Sequence, residues 1–318
     1  MRLQFTDLDD YGDAVQHARV ELCMFRPVRH LWTMSQHPLG SLLLQLGQAG
    51  GGNICRGESQ VGNPILFLPL SHPSQAAANG TRFNGANAML LPSGAEFHLL
   101  HTAPHAWCSL SFPAEMLQES CPGEPSDRTA WLQTSAVRPF DPEHLAHLAR
   151  LAEEYDQIQT VTPSRLAHPA AQQQAESDLR QALRRLFETS PSPAKTSRGR
   201  PLLDRREIVN RLFAELQNSA HESLTPPMLA ERMGIAERTL RLVCRETLGL
   251  GPARYLKLRQ LRLARQHLRD PRHPAQTVTE LLSRLGIWQF GRFAGEYKAT
   301  YGELPSQTFA RVRRFASA

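Results

Sequence analysis

Short hydrophobic runs separated by turn-forming residues occupy the chain from about Leu39 to Phe112. The runs include LGSLLLQLGQ, NPILFLPLSHPS and AWCSLSFP, and Gly, Pro and Asn lie between them. Apolar runs of this length between turn formers are typical of β-strands. The pattern predicts a jelly-roll or cupin-like β-barrel, and a buried helix is the alternative for the leucine-rich runs.

Two amphipathic helices are predicted after Pro139. In DPEHLAHLARLAEEYDQI and AESDLRQALRRLFETS, apolar residues recur at spacings of three and four, which places them on one side of a helix. They are Leu145, Leu148, Leu151, Tyr155 and Ile158 in the first helix and Leu179, Leu183, Leu186 and Phe187 in the second. Such a stripe has to be buried, so the helices either cover the barrel or form a dimer interface.

The C-terminal part of the chain repeats one helical unit. A short amphipathic helix ends in Gly-Ile at residues 234–235 and again at residues 286–287, and a second helix begins shortly afterwards. Glycine permits the sharp turn of a helix-turn-helix motif, whose second helix enters the DNA major groove; an ordinary pair of helical hairpins is the alternative. A connecting helix of about 18 residues, roughly 27 Å long, can hold the two second helices about one turn of B-DNA apart.

These patterns divide the chain into two predicted domains. The segment SPSPAKTSRGRP, residues 190–201, is rich in Pro and cations and lacks an apolar period, as is typical of an exposed linker. We therefore expect an α+β chain whose residues 1–189 form a cupin-like effector-binding and dimerisation domain with two helices. Residues 202–318 form an all-α DNA-binding domain of two helix-turn-helix units joined by a long helix.

The charge distribution strengthens the DNA-binding hypothesis. The formal net charge is +6, but residues 1–194 contain 13 Arg, no Lys and 19 Asp and Glu, a net charge of −6. Residues 195–318 contain 23 Lys and Arg against 11 Asp and Glu, a net charge of +12. A basic domain dominated by Arg suits a polyanion, because the planar guanidinium group matches both phosphate and guanine edges.

The stretch from Ser223 to about Thr308 resembles the DNA-binding domain of the AraC family of bacterial transcriptional regulators. The resemblance lies in SLTPPMLAERMGIAERTLRLVCRETLGLGPARYLKLRQLRLARQHL and in TVTELLSRLGIWQFGRFAGEYKATYGELPS. The sequence GIWQFGRF is most similar to the subgroup that includes the ethanolamine-operon activator. The N-terminal half is similar to the effector-binding and dimerisation domain of such regulators only in length and pattern.

The resemblance implies which residues face DNA. In the first motif they are Glu237, Arg238, Arg241 and Arg245, and in the second they are Trp288, Gln289, Phe290 and Arg292. For each arginine the alternative is a solvated charge, and Trp288 is alternatively a core aromatic residue. Many family members have Ser-His where this chain has Gly291-Arg292, and Gly295 stands where a cation is frequent. The connecting helix carries cations that we expect to be solvated or near phosphate, namely Arg254, Lys257, Arg259, Arg262 and Arg265.

The N-terminal domain offers a ligand pocket more readily than an active site. His98, His101 and His105 invite a metal interpretation, but residues 98 and 101 of one strand point to opposite faces and no acidic residue lies between them. We therefore expect no metal, no cofactor and no catalytic residues. Aromatic residues with a few polar groups are typical of a small-molecule site. The candidates are Trp32, Phe67, Phe97, His98 and Trp107, and their alternative role is in the core.

The remaining expectations concern compartment and partners. Five cysteines without a C-x-x-C pair indicate free thiols in a reducing cytosol. No apolar run reaches the roughly 18 to 20 residues that span a bilayer, and the acidic N-terminus lacks a signal sequence. We expect a cytoplasmic, nucleoid-associated regulator, an activator, that binds double-stranded promoter DNA, RNA polymerase and a small-molecule effector and forms a homodimer. The alternatives are a ligand-independent architectural DNA binder and a cupin metalloenzyme with a DNA-binding tail.

Overall fold

The computed structural model describes residues 2–27, 32–120, 131–133, 135–166, 168–190, 205–219 and 224–316. The chain falls into two compact units, residues 1–22 with 28–200 and residues 23–27 with 201–318. Of the predicted linker at 190–201, only Ser190 is among the described residues.

The N-terminal unit contains two β-sheets. The seven-stranded sheet has the order β1 (Arg2–Phe5), β3 (Trp32–Leu39), β4 (Leu42–Ala49), β11 (His105–Ser111), β6 (Ile65–Pro69), β9 (Asn87–Leu91) and β12 (Ala136–Pro139). The five-stranded sheet has the order β2 (Ala18–Pro27), β5 (Gly51–Ser59), β10 (Glu96–His101), β7 (Ala76–Ala78) and β8 (Thr81–Arg82). Both sheets are built from antiparallel pairs such as β4 with β11 and β5 with β10.

Among the described residues, five α-helices accompany these sheets, and the longer ones cover one face of the seven-stranded sheet. They are α1 (Leu8–Asp13), α2 (Glu115–Ser120), α3 (Pro142–Val161), α4 (Pro163–Leu166) and α5 (Pro169–Glu188). Leu145 and Leu148 of α3 and Leu183 of α5 share one buried core with Leu44 of β4 and Leu110 of β11. The predicted helical stripes therefore cover the sheet, and the dimer-interface alternative is not needed to bury them.

The cupin-like fold class is confirmed, with two refinements. The described strands hydrogen-bond as two separate sheets and do not close into one continuous barrel. Strands also begin well before Leu39, because β1, β2 and β3 all precede it. In β2, ARVELCMFRP, charged residues lie on both sides of the apolar run LCMF, and this strand was not predicted.

From Arg205 onward the described residues form α-helices joined by short connections. The helices of the C-terminal unit are α6 (Arg205–Asn218), α7 (Pro226–Arg232), α8 (Glu237–Leu248), α9 (Pro252–Arg269), α10 (Val278–Arg284), α11 (Phe290–Tyr301) and α12 (Pro305–Ala316). The pairs α7–α8 and α10–α11 are the two predicted helix-turn-helix units, and α9, with 18 residues, is the predicted connecting helix.

Two buried arginines anchor α9. Arg259 is 8% exposed and donates to the backbone carbonyls of Leu216 and Ser219, at 2.6 and 3.2 Å, at the C-terminal end of α6. Arg265 is 3% exposed; it forms a 3.0 Å ion pair with Glu303, and its guanidinium lies 4.4 Å from the ring centroid of Tyr301. The expectation that these two residues are solvated or near phosphate was wrong, because both guanidinium groups fasten α9 to neighbouring elements.

Candidate nucleic-acid interface and ligand cavity

The two helix-turn-helix turns are built alike. Gly234 and Gly286 both have a left-handed backbone, with φ of 62° and 69°. The amide of the following isoleucine donates across the turn in each motif, from Ile235 to Ala230 at 3.0 Å and from Ile287 to Leu282 at 2.9 Å. A left-handed residue at this place is favourable for glycine, because it has no Cβ to strain. The repeated Gly-Ile therefore encodes one turn geometry twice.

Capping residues and core residues fix the helices on either side of each turn. Thr225 caps α7 and Thr277 caps α10, because each hydroxyl accepts from a backbone amide in the first turn. Leu240 and Val243 of α8, and Phe293 and Tyr297 of α11, are at most 3% exposed, as the resemblance implied. Each second helix therefore has one face fixed in the helical bundle and leaves the other face free for contacts.

The outer face of α8 is cationic. Arg238, Arg241 and Arg245 are exposed, and Glu237 at the start of the helix is half-buried. Arg241 pairs with Glu237 one turn earlier at 2.5 Å, and this pair is about half exposed. Exposed ion pairs of this kind contribute about 0 to 1 kcal/mol, so Arg241 is readily released to a stronger anionic partner.

The outer face of α11 begins with an exposed aromatic residue. Trp288 is 71% exposed, so the alternative that it is a core residue was wrong. Gln289 and Arg292 are also exposed, and Phe290 is half-buried. Arg292 pairs at 3.2 Å with Glu296, whose other charged neighbour is Lys257 of α9 at 2.7 Å. Burial tends to raise the pKa of Glu296, but hydrogen bonds and charge from Lys257 and Arg292 hold that pKa below its usual value.

One exposed cation of α11 was not predicted. Lys298 of α11 is exposed and lies one turn before the glycine that follows its helix, as Arg245 does in α8. Both helices have 12 residues, so the two cations occupy the same step of the repeat. Counting back from the terminal glycine of each motif would have found Lys298.

A cavity lies between the two sheets of the N-terminal unit. Its walls come from both sheets, and the centre of a water-sized molecule can move through about 70 Å³ of it. Trp32, Phe67 and Trp107 contribute from the seven-stranded sheet and Phe97 from the five-stranded sheet. Four of the five predicted effector-binding residues therefore line one cavity. Aromatic and apolar walls with a few polar groups are typical of a site for a small organic molecule.

His98 does not line this cavity. On β10 the residues that line it are Phe97, Leu99 and His101, which alternate along the strand. His98 is buried on the opposite face of β10 and, contrary to the prediction, does not contribute to the ligand cavity. Side chains of a strand alternate between faces, so Phe97 and His98 cannot both point into the same space.

Two glycines opposite aromatic residues shape the cavity wall. Gly47 of β4 is the cross-strand partner of Trp107, and a Cβ on Gly47 would lie 2.3 Å from the indole ring. Gly57 of β5 faces Phe97 in the same way, with 2.4 Å to the phenyl ring. The indole Nε1 of Trp107 donates to the Tyr11 hydroxyl at 2.8 Å. Because glycine has no side chain, each large ring can lie against the backbone of the neighbouring strand.

Three of the polar side chains that line the cavity, Asn53, His101 and His105, lie together. The rings of His101 and His105 stack at 3.5 Å between centroids with an interplanar angle of 2°. Burial, with a smaller contribution from His105, lowers the pKa of His101 well below 6.5. Burial also lowers the pKa of His105, to about 4. Both imidazoles are therefore neutral near pH 7.

The three histidines do not converge on one point, since His98 lies on the other face of its strand. Among the described residues, no three His, Cys, Asp or Glu side chains are grouped so as to hold a metal ion. None of the described helices has the length and apolar character needed to cross a bilayer.

Two helix-turn-helix motifs with exposed cationic second helices define the C-terminal unit as a double-motif DNA-binding domain. Residues 229–311 match the family described as "Helix-turn-helix domain". The predicted resemblance of this stretch to the DNA-binding domain of the AraC family is confirmed. The assignment to the ethanolamine-activator subgroup stays a prediction.

Relatives align with about a third of the chain. The "Probable thc operon regulatory protein" of Rhodococcus erythropolis is 35% identical over 105 residues, 33% of this chain and 32% of that protein. The "XylDLEGF operon transcriptional activator 3" of Pseudomonas putida is 33% identical over 101 residues, 32% of this chain and 30% of that protein. The chain thus spans about a third of the length of these relatives.

A solved structure, that of the AraC-like transcriptional activator CuxR, aligns with a larger part. The alignment covers 82% of this chain and 94% of that chain, with 13% identity and a TM-score of 0.44.

Proposed function

We propose that this chain is a sequence-specific transcriptional regulator that binds promoter DNA through α8 and α11. The observation that carries the proposal is the repeated turn at Gly234 and Gly286, each followed by a helix with an exposed polar and cationic face. Arg238, Arg241 and Arg245 would reach base edges or phosphates from α8. Trp288 and Gln289, just before α11, and Phe290 and Arg292 on it would do the same in the second motif. Glu237 orients Arg241 through their ion pair.

The domain organisation proposed with this function assigns residues 1–189 to effector binding and dimerisation, 190–201 to a linker and 202–318 to DNA binding. A small molecule in the cavity would change DNA affinity by favouring one arrangement of the protein over another. The names of the relatives from Pseudomonas putida support an activator. Contact with RNA polymerase, a homodimer and a cytoplasmic location complete the proposal.

The proposal is tested by selecting fragments from genomic DNA with the full-length protein. We expect the recovered fragments to share a site with two half-elements about one helical turn apart. The double variant Arg241→Ala with Arg292→Ala should lose this enrichment. The control double variant Arg165→Ala with Arg184→Ala removes the same charge from exposed positions of the N-terminal unit and should retain it.

An architectural DNA binder is the second candidate function, supported by the net charge of +12 in residues 195–318. It would retain DNA through phosphate contacts alone, so the recovered fragments would share no site. Recovery of random fragments by the wild-type protein would therefore reject a sequence-specific regulator and favour this candidate.

A further inference from the structure

The polar end of the cavity joins the two sheets. Asn53 of β5 and His101 of β10 are direct cross-strand partners in the five-stranded sheet. His105 belongs to β11 of the seven-stranded sheet, and its ring stacks on that of His101 at 3.5 Å. All three side chains line the cavity, so a bound molecule can reach polar groups from both sheets at one place.

Three nitrogen atoms of these side chains are buried without hydrogen-bond partners among the described residues. Asn53 is 1% exposed and His101 is 3% exposed. Among the described residues, neither Nδ2 of Asn53 nor either ring nitrogen of His101 has a hydrogen-bond partner. Leaving a buried polar group unsatisfied is unfavourable, and most such groups in folded proteins have a partner. These groups therefore point to a polar atom of a bound molecule.

The donors and acceptors at this end are defined by chemistry. The Nδ1 of His105 lies 3.1 Å from the carbonyl oxygen of Ala103, which can only accept, so Nδ1 carries the proton and Nε2 carries a lone pair. Asn53 Nδ2 is a donor, and the neutral ring of His101 has one donor and one acceptor nitrogen. A partner for this set has to accept a hydrogen bond and also donate one.

The cavity offers no fixed counter-charge to an ionised partner. Among the described residues that line it, none is Lys, Arg, Asp or Glu. Burial keeps His101 and His105 neutral by lowering the pKa of each. A carboxylate buried here would lack a counter-charge, and it could accept hydrogen bonds but not donate one.

We propose that the cavity binds an uncharged, largely apolar molecule through a hydroxyl group held by Asn53 and His101. The hydroxyl oxygen accepts a hydrogen bond from Asn53 Nδ2, and the hydroxyl group donates a hydrogen bond to an unprotonated imidazole nitrogen. The apolar remainder lies against Phe67, Phe97 and Trp107, which form the wall of the same cavity. This proposal rests on the effector role proposed above and adds the chemical class of the effector.

Three compounds with one ring test the proposal on the full-length protein. Benzyl alcohol, toluene and benzoate share a phenyl ring and differ in the group that would meet Asn53 and His101. Binding is measured by calorimetry and by quenching of tryptophan fluorescence, since Trp32 and Trp107 line the cavity. We expect benzyl alcohol to bind about tenfold more tightly than toluene, the effect of a hydrogen bond to a buried group, and benzoate to bind more weakly than both.

Variants locate the binding site. His101→Phe should reduce benzyl alcohol affinity about tenfold and leave toluene affinity within a factor of two, which would also show that the cavity remains folded. His147→Phe, the same change at an exposed position of α3, should alter neither affinity. If His101→Phe does not fold, Asn53→Leu provides the same comparison from the other side of the hydroxyl group.

Three results would overturn the proposal: equal affinity for toluene and benzyl alcohol, tighter binding of benzoate, or no binding of any of the three compounds. DNA selection by the same protein preparation separates this failure from failure of the proposed function. A protein that selects a DNA site but does not prefer the alcohol remains a regulator with a different ligand chemistry. A protein that prefers the alcohol but recovers random DNA has the ligand site without the regulatory function.

Discussion

Arg241 and Arg284 form a matched pair of arginines in the C-terminal unit. Each side chain is 53% exposed, and each pairs with a glutamate one turn earlier on its helix. Arg241 lies on α8, the second helix of its motif, whereas Arg284 ends α10, the first helix of its motif. Local stability effects of the two residues should therefore be alike, and any difference in DNA binding reports their place in the motif.

Arg241→Ala is expected to weaken binding to the selected site by about 1 to 3 kcal/mol and to relax the preference at one base pair, because a bidentate guanine contact is lost. Arg284→Ala is expected to leave base preference unchanged. Fluorescence anisotropy on the selected site and on single-base variants measures both effects. Equal losses of Arg241→Ala on selected and random DNA would show that Arg241 contacts only phosphate.

The buried histidines predict a pH dependence of stability. In the unfolded chain their pKa is near 6.5, and in the folded chain it is lower because of burial. The unfolded chain therefore binds more protons as the pH falls below about 6.5, so acidification destabilises the fold. This loss begins near pH 6.5 and, for His105, is complete near pH 4.

Each histidine should reduce the free energy of unfolding by roughly 1 kcal/mol between pH 7.5 and pH 5.5. Urea unfolding followed by tryptophan fluorescence reports this change, since Trp32, Trp107 and Trp131 all lie in the N-terminal unit. His101→Phe should remove about half of this change in the free energy of unfolding, and His147→Phe should leave it unaltered. A wild-type stability that is constant over this range would contradict the burial of neutral imidazoles.

At the scale of elements, the turn of the first motif depends on a left-handed glycine. A Cβ at Gly234 would meet no heavy atom within 4 Å, so Gly234→Ala changes only the backbone energy. The positive φ of 62° should make this variant less stable by roughly 1 kcal/mol. Urea unfolding followed by circular dichroism measures the loss.

Gly295→Ala provides the control in the same unit. A Cβ there also meets no heavy atom within 4 Å, but the residue lies inside α11, where alanine is favoured over glycine by about 0.5 to 1 kcal/mol. This variant should therefore be more stable than the wild type. The same sign of effect in both variants would contradict the distinction between turn and helix.

The sequence was most informative where one period identified one buried face. The stripes of α3 and α5 and the repeated Gly-Ile turns all follow from local spacing. Strands such as β6 (ILFLP) are apolar throughout because one face meets the helices and the other meets the cavity. Strand β2 also contains an apolar run, LCMF, but charged residues flank it on both sides, and it was not predicted.

Long-range register explains what the sequence could not show. Asn53 and His101 are distant in the chain, and only the pairing of β5 with β10 makes them neighbours. Arg259 and Arg265 were indistinguishable from the other cations of α9 until the helices packed around them. Buried and solvated cations on an amphipathic helix differ only in their partners, which local spacing does not reveal.

At the scale of the whole molecule, the net charge of +12 in residues 195–318 predicts that DNA binding weakens steeply with salt. Each neutralised phosphate contributes a slope of about −0.9 to the plot of log K against log salt concentration. Titrations of full-length protein with the selected site should therefore give a slope of about −4 or steeper, as expected for several phosphate contacts. A flat dependence would be inconsistent with an electrostatic DNA interface.

The central claim is that two motifs, joined by one anchored helix, read two half-elements of one site together. The connection through α9 is rigid in its contacts, because Arg259 fastens it to α6 and Arg265 fastens it to the segment between α11 and α12. The half-elements must then lie on one face of the DNA at a fixed distance. Half a helical turn, about 5 base pairs, would place one of them on the opposite face.

The deciding measurement is the affinity of the full-length protein for the selected site before and after 5 base pairs are inserted between its half-elements. Joint recognition predicts a loss of more than about tenfold, down to the affinity of a site with one half-element destroyed. Unchanged affinity after the insertion would contradict it, because two motifs held by one rigid helix could not follow their half-elements around the DNA.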